Sequence, residues 1–350
     1  MAVGFPAKTT YANGDVFSAS DVNDITGTIN LLTSTTLSIA GGKNFLINGG
    51  FDIWQRSTSA STSTGTYPAA DRFWVYTNSG SATMSRESTV IPAGARYSAK
   101  ITATGAGTQV FFSQAIETSM CTPFIGKTVT VSGQLAASTS TAHTLLVQYS
   151  TTVDDSNFGT WTTITASTTS GSLTPTSTTF VSFANTYAIP SNAKSVRVGL
   201  QPTGTVANGV ALYYGNLQLE LGSTATTFSR AGGTIQGELA ACQRYFYRVN
   251  NAGVTDEPVF TGAYWSTTAF FCSVPLPVQM RTSPALTANN PTNFAVFANS
   301  SNASATAIAL DQASPNIVNL NLTTAAKTVG WGGWVQTTNA NASLDLSSEL

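Results

Sequence analysis

The sequence predicts an all-β chain of two β-sandwich domains, with a short amino-terminal helical segment and one connecting helix. Three observations carry this. Apolar residues alternate with polar ones in many short runs, as in Leu217-Gln218-Leu219-Glu220-Leu221, the period-2 signature of a half-buried strand. Only 9% of the 350 residues are charged, against about 25% in an ordinary soluble domain. Ser, Thr, Asn and Gly fill the gap, which suits sheets with hydroxyl-clad outer faces and not charge-laced helices. Third, the period changes between the β-rich halves: Ile235, Leu239, Cys242 and Phe246 recur at helical intervals behind Thr234, a ready N-cap.

The 42% hydrophobic and 10% aromatic content is enough to bury cores, so the Ser/Thr richness does not imply disorder. Net charge is −1, from 15 basic and 16 acidic residues, which gives no electrostatic case for nucleic acid. No apolar run approaches the roughly 20 residues of a membrane span. The opening residues lack a basic stretch followed by an apolar one, so no secretory leader is expected. Cys121, Cys242 and Cys272 make an odd count without metal-ligand spacing; Cys242 and Cys272 read as small core residues, and no disulfide framework is expected.

In chain order, residues 1–43 form the first segment. Val22, Ile25, Ile29 and Leu32 recur at 3, 4, 3, a seam about one and a half heptads long, with Asp21 and Asp24 in its first turn. Alone it is too short to hold together. A trimerisation seam and a single helix lying on a neighbouring protein are both open. Residues 44–232 form the first β domain, with strands expected at 45–48, 72–77, 97–102, 109–116, 128–135, 144–149, 161–164, 179–183, 195–200 and 211–221. The low-complexity stretches 57–65 and 165–178 read as mobile loops. The connecting helix spans 233–249. Residues 250–350 form the second sandwich, with strands expected at 270–276, 294–297, 306–310, 317–322, 331–336 and 342–346.

Several motifs resemble those of bacteriophage tail-fibre and related virion fibre proteins. Asn44-Phe45-Leu46-Ile47-Asn48-Gly49, Trp54-Gln55-Arg56 and Ala70-Asp71-Arg72-Phe73-Trp74 are similar to the opening of one such domain. Leu217-Gln218-Leu219-Glu220-Leu221-Gly222 and Cys242-Gln243-Arg244-Tyr245 are similar to its closing strand and following helix, with Phe246 where a second Tyr is common. Leu276-Pro277-Val278-Gln279-Met280-Arg281 and the final Leu346-Ser347-Ser348-Glu349-Leu350 match more loosely. The resemblance implies a jelly-roll first domain of the carbohydrate-binding-module type and a homotrimer. It implies a virion protein, assembled in the host bacterial cytoplasm, whose amino-terminal segment docks to other virion proteins. Its function would be attachment to host surface polysaccharide or lipopolysaccharide. A capsid-bound head fibre or decoration protein is the alternative, and a polysaccharide depolymerase a second one.

Catalysis has little to stand on. Glycoside hydrolysis needs two carboxyls about 5–9.5 Å apart, and the adjacent acids Asp154-Asp155 and Asp256-Glu257 read as solvated turn residues. Calcium at Asp154, Asp155 and Asn157 lacks the usual ligand order. His143 is the one histidine, which excludes multi-histidine zinc sites, and it reads as a surface residue. No Gly-x-Ser-x-Gly elbow or phosphate loop is present. No catalytic residue, metal or cofactor is therefore expected. Sugar contact is physically plausible, because aromatic faces stack on the C–H face of a pyranose. Trp331 and Trp334 around Gly332-Gly333, and Tyr264-Trp265 at a strand edge, are the candidates; they can equally close a sandwich end. Trp54, Trp74 and Trp161 read as core.

Overall fold

Alternation along the strands sorts side chains into two faces, and in the computed structural model the faces close into two units. Residues 43–156, 160–250 and 253–350 are described; Val22, Ile25, Ile29 and Leu32 lie outside them. The first unit is a sandwich of antiparallel strands. Its strands are β1 (Ser59–Thr62), β2 (Trp74–Asn78), β3 (Ala82–Glu87), β4 (Ser98–Ala103), β5 (Gln109–Ile116) and β6 (Thr128–Ala137). Then come β7 (His143–Ser150), β8 (Thr162–Ile164), β9 (Thr168–Gly171), β10 (Val181–Ala188), β11 (Ser195–Pro202) and β12 (Ala211–Leu221). One sheet runs β1-β3-β4-β12-β6-β10-β9 and the other β2-β5-β11-β7-β8, so the chain crosses repeatedly between layers. Between them lies one core, in which Phe73 stacks on Phe112 at 4.7 Å and Phe112 on Tyr214 at 4.7 Å.

The connecting helix is Ile235–Gln243, capped as expected: the Thr234 hydroxyl accepts from Gly237 N at 3.0 Å. Thr234→Ala is expected to cost about 1 kcal/mol in chemical denaturation. The helix is shorter than the 233–249 its periodicity suggests. Phe246 lies instead in β13 (Phe246–Asn250), which pairs with the chain's last strand. The helix face is also turned. Ile235 is exposed, whereas Glu238 is buried with Cys242, because its carboxylate accepts from the backbone N–H of Asn48 and of Gly232.

The all-β class holds, but the second unit is not a pair of facing sheets. β14 (Pro258–Tyr264), β15 (Ala269–Pro275), β19 (Ile317–Thr324), β18 (Ser301–Ala313), β17 (Phe294–Ala298) and β20 (Gly332–Thr337) close as a six-stranded barrel. β13, β21 (Ser343–Ser347) and β16 (Ala285–Ala288) form a separate three-stranded sheet. Full closure removes the sheet edges that a small sandwich leaves open.

Other expectations need correction. Stretches 57–65 and 165–178 contain β1 and β9, which pair with β3 and β10. Hydroxyl side chains suit an exposed sheet face, and the backbone ladder needs no apolar residue. Residues 45–48 form a turn: Asn44 Oδ1 accepts from Leu46 N (2.9 Å) and Leu219 N (3.0 Å), and Asn48 takes φ 62°. Asp155 is buried and accepts from the Thr160 hydroxyl at 2.8 Å, so it is not a solvated turn acid; Asp154 does lie in a turn, a third exposed, and pairs with Arg281 at 3.3 Å. His143 is buried, its ring Nδ1 donating to Thr141 O at 2.9 Å. Cys242 and Cys272, by contrast, are buried as expected, and Cys121 is buried with them; all three are free thiols.

The fibre-like motifs meet at one place. Arg56 bridges Asp71 (3.1 Å) and Glu349 (3.0 Å), Arg72 also reaches Glu349, and the Arg72 guanidinium lies 3.5 Å from the centre of the Tyr245 ring. Gln55 Nε2 donates to Phe246 O at 2.9 Å. The three-stranded sheet is thus tied to the sandwich through buried ions. Beside them Arg244 pairs with Glu117 at 2.7 Å.

Candidate functional site

The outer face of the five-stranded sheet carries a groove. In β2, Val75 and Thr77 point into the core, so Trp74 and Tyr76 point out. In β5, Phe112 is in the core and Phe111 is outside. In β11, Val196, Val198 and Leu200 face inward, which puts Arg197, Gly199 and Gln201 on the opposite face. β7 adds Leu146 and Gln148. Trp74, Tyr76, Phe111, Leu146, Gln148, Arg197 and Gln201 line a cavity of about 440 Å³. A second cavity of about 180 Å³ shares Tyr76, Phe111 and Gln201 and extends the trough towards Gln109 and Thr203.

Two glycines shape the floor. A Cβ on Gly199 would stand 2.4 Å from the Phe111 ring, so only glycine lets that ring lie across β11. A Cβ on Gly65 would stand 2.0 Å from the Trp74 indole, so only glycine lets the loop backbone pass this close to the ring. Trp74 is therefore 9% exposed and supports Tyr76, which stacks on it at 5.5 Å with planes 6° apart. Tyr76 is 40% exposed, the most open ring of the groove.

The polar end is braced. Gln148 Oε1 accepts from Arg197 Nε (3.0 Å) and Nη2 (2.7 Å), while Gln148 Nε2 donates to Thr163 Oγ1 at 3.1 Å. The Arg197 guanidinium lies 5.1 Å from the Phe111 ring centre and 4.9 Å from that of Trp161. Burial draws its pKa down to about 10, with Asp155 acting the other way, so it remains a cation at neutral pH. Aromatic rings, the Gln148 amide and one cation are thus held in place against one another. Among the described lining residues none is Asp or Glu.

The sequence candidates divide between the barrel's core, with Tyr264 and Trp331, and its outer face, with Trp265 and Trp334. Tyr264 is buried in the barrel core, its hydroxyl 2.9 Å from Thr324 Oγ1. Trp331 packs partly buried against the same core. Trp334 is outside, stacked on Phe297 at 4.5 Å, with its Nε1 donating to Gln336 Oε1 at 3.0 Å. Trp265 is 79% exposed. Trp54 packs on the sandwich core as expected. Trp74 and Trp161, read as core, instead belong to the groove and its rim.

No protein-family model matches the chain, and no curated protein matches it. Several solved structures are similar. One is a CBM4 structure, 18% identical over 50% of this chain and 98% of its own, with a TM-score of 0.32. The tandem CBM22 domain of Paenibacillus barcinonensis is 14% identical over 88% of this chain and 97% of its own, TM-score 0.32. The enzymatically active domain of tailspike protein 4 of bacteriophage CBA120 is 16% identical over 51% of this chain and 21% of its own, TM-score 0.31.

Proposed function

We propose that the chain is a virion fibre protein, a phage tail fibre, that holds a host cell-surface glycan in the groove on the five-stranded sheet. The observation that carries the glycan reading is the Tyr76 ring, held flat on Trp74 beside Phe111, with Gln148, Gln201 and Arg197 around it. A pyranose offers an apolar C–H face and a rim of hydroxyls. Rings take the first, and amide and guanidinium groups take the second. Aromatic rings beside a few convergent polar groups, in a concavity of several hundred Å³, suit a small ligand that has both an apolar face and hydroxyls. The absence of carboxylates from the described lining favours contact over turnover.

The fibre setting rests on the motif resemblance. In that setting a homotrimer multiplies a weak sugar contact through effective concentration. Mass photometry is expected to find trimers, and a stable monomer at micromolar concentration would count against the fibre. For the groove, electrophoresis through gels containing xylan, galactan, mixed-linkage glucan or bacterial O-polysaccharide provides the test. At least one is expected to retard the protein. Tyr76→Ala is expected to weaken that retardation at least tenfold, equivalent to about 1.4 kcal/mol. Free migration of the wild type through every gel would overturn the glycan reading.

A further inference from the structure

Among the described residues only two aromatic side chains are more than a third exposed, Tyr76 and Trp265, and each unit carries one. Tyr76 belongs to the sandwich groove. Trp265 stands on the barrel in the β14–β15 turn, where its backbone N–H donates to Ala269 O at 2.9 Å. Its ring meets Phe271 edge-on, 6.5 Å between centres. Cross-strand pairing leads from Phe271 to Ala263 and from Ala263 to Gly332 on the same outer face. Two residues further along, Thr261 pairs with Trp334 and Trp334 with Phe297.

The barrel's outer face therefore carries two ring pairs separated by Ala263, Gly332 and Thr261. From residue 261 to residue 265 the strand rises about 13 Å, a span that suits a short oligosaccharide. A Cβ on Gly332 would meet only Gly262 O, at 3.8 Å, so the bare floor is not forced by crowding. The amides of Asn319 and Asn321 and the hydroxyl of Ser273 border the rings on the same face, paired across strands with Ser273, Phe271 and Asn319 respectively. Ser273 Oγ donates to Asn319 Oδ1 at 2.7 Å, which holds both side chains in place beside the rings. The rings, amides and hydroxyl named here are uncharged; Asp311, exposed at the β18 bulge beside Asn319, and Asp256, held by Gln336, stand at the edge.

We propose that this face, centred on Trp265 and Phe271, is a second saccharide contact that takes an uncharged stretch of the glycan held by the groove. The proposal rests on the groove reading for its ligand class. An uncharged polyhydroxylated chain fits the face because rings meet C–H faces and amides meet hydroxyls, while the acid at the edge, Asp311, disfavours an anionic one. Two contacts on one chain act through effective concentration, so a long polysaccharide engages both and binds far more tightly than either contact alone.

The test uses the full chain in gels containing the same four polysaccharides, with Trp265→Ala, Tyr76→Ala and the double variant. Trp265 is exposed, so its replacement is expected to leave the melting temperature unchanged. Each single variant is expected to lose at least tenfold in retardation by the polysaccharide that retards the wild type, and the double variant to migrate freely. If Trp265→Ala is retarded like the wild type, the second contact is overturned and the groove reading stands. If Tyr76→Ala is retarded like the wild type while Trp265→Ala migrates freely, the groove reading fails instead. Free migration of the wild type overturns both. Sedimentation velocity decides what covers the face: a smaller assembly for Trp265→Ala than for the wild type would place a second copy there and overturn the proposal.

Discussion

Glu349→Ala is expected to lower the unfolding free energy by about 3–5 kcal/mol and to split one melting transition into two. Glu349 is the carboxylate on which two arginines converge, Arg56 at 3.0 Å and Arg72, whose side chain is 1% exposed. Removing it leaves Arg72 with Ala115 O at 2.8 Å and the Tyr245 ring, but without its counter-ion. Breaking a buried pair by deleting one partner costs that much because the surviving charge stays desolvated. The splitting follows from position. Glu349 follows β21, so its bonds to Arg56 and Arg72 fasten the three-stranded sheet to the sandwich. Without them the sandwich and the barrel lose a main reason to unfold together, and two-state behaviour ends. Calorimetry reads the number of transitions and chemical denaturation the energy. Replacing both partners, Arg72→Met with Glu349→Leu, is expected to recover most of the loss, since well-packed apolar substitutes for a buried pair are often neutral or stabilising. A single transition within 1 kcal/mol of the wild type for Glu349→Ala would refute the clamp.

The same junction shows what one dimension hides. Runs with a strict period of 2 could be read directly, and β5 and β12 fall at the bounds their patterns predict, Gln109–Ile116 and Ala211–Leu221. The helix start at Thr234 was equally legible, because a cap is a local event. Its end was not. Phe246 satisfies the helical spacing from Cys242, but pairing with Ser347, about a hundred residues away, holds it in a strand. The groove failed for a subtler reason. Trp74-Val75-Tyr76-Thr77 alternates whichever face is buried, and bulk favours placing the rings inside. The clue lay in β11, where Arg197, Gly199 and Gln201 share a parity opposite Val196, Val198 and Leu200. That places the polar face outward, but only the pairing of β11 with β5 and of β5 with β2 brings the rings beside it. Arg56, Asp71, Arg72 and Glu349 likewise appear as scattered charges until the fold collects them.

Two buried groups titrate in the same pH window with opposite effects on stability, and separating them is the second large expected result. Burial pushes the Asp71 carboxyl up to about 6 from 3.8, although Arg56 and the Gln55 amide work to hold it down and Glu349 adds to the rise. The folded chain therefore holds this proton more tightly than the unfolded chain, and stability gains as pH falls from about 6 to about 4. Burial drives the His143 imidazole the other way, down to about 4 from 6.5, with the carbonyls of Thr141 and Leu173 opposing. The Tyr214 hydroxyl also faces that ring, 3.4 Å from Nε2. Here the unfolded chain takes the proton first, so stability is fully present above about 6.5 and is lost as pH falls towards 4. Each shift amounts to about 3 kcal/mol, and in the wild type the two nearly cancel. Asp71→Asn removes the gain and is expected to leave a curve that falls by about 3 kcal/mol between pH 6.5 and 4. His143→Gln removes the loss and is expected to leave one that rises by a similar amount. The remaining acids affect both variants alike, so the difference in slope between the two is the quantity to measure, by urea denaturation at closely spaced pH. Parallel curves for the two variants would mean that neither group is buried as described. Diverging curves would place a carboxylate and an imidazole, each desolvated by the same sandwich, in opposition across a narrow acid range.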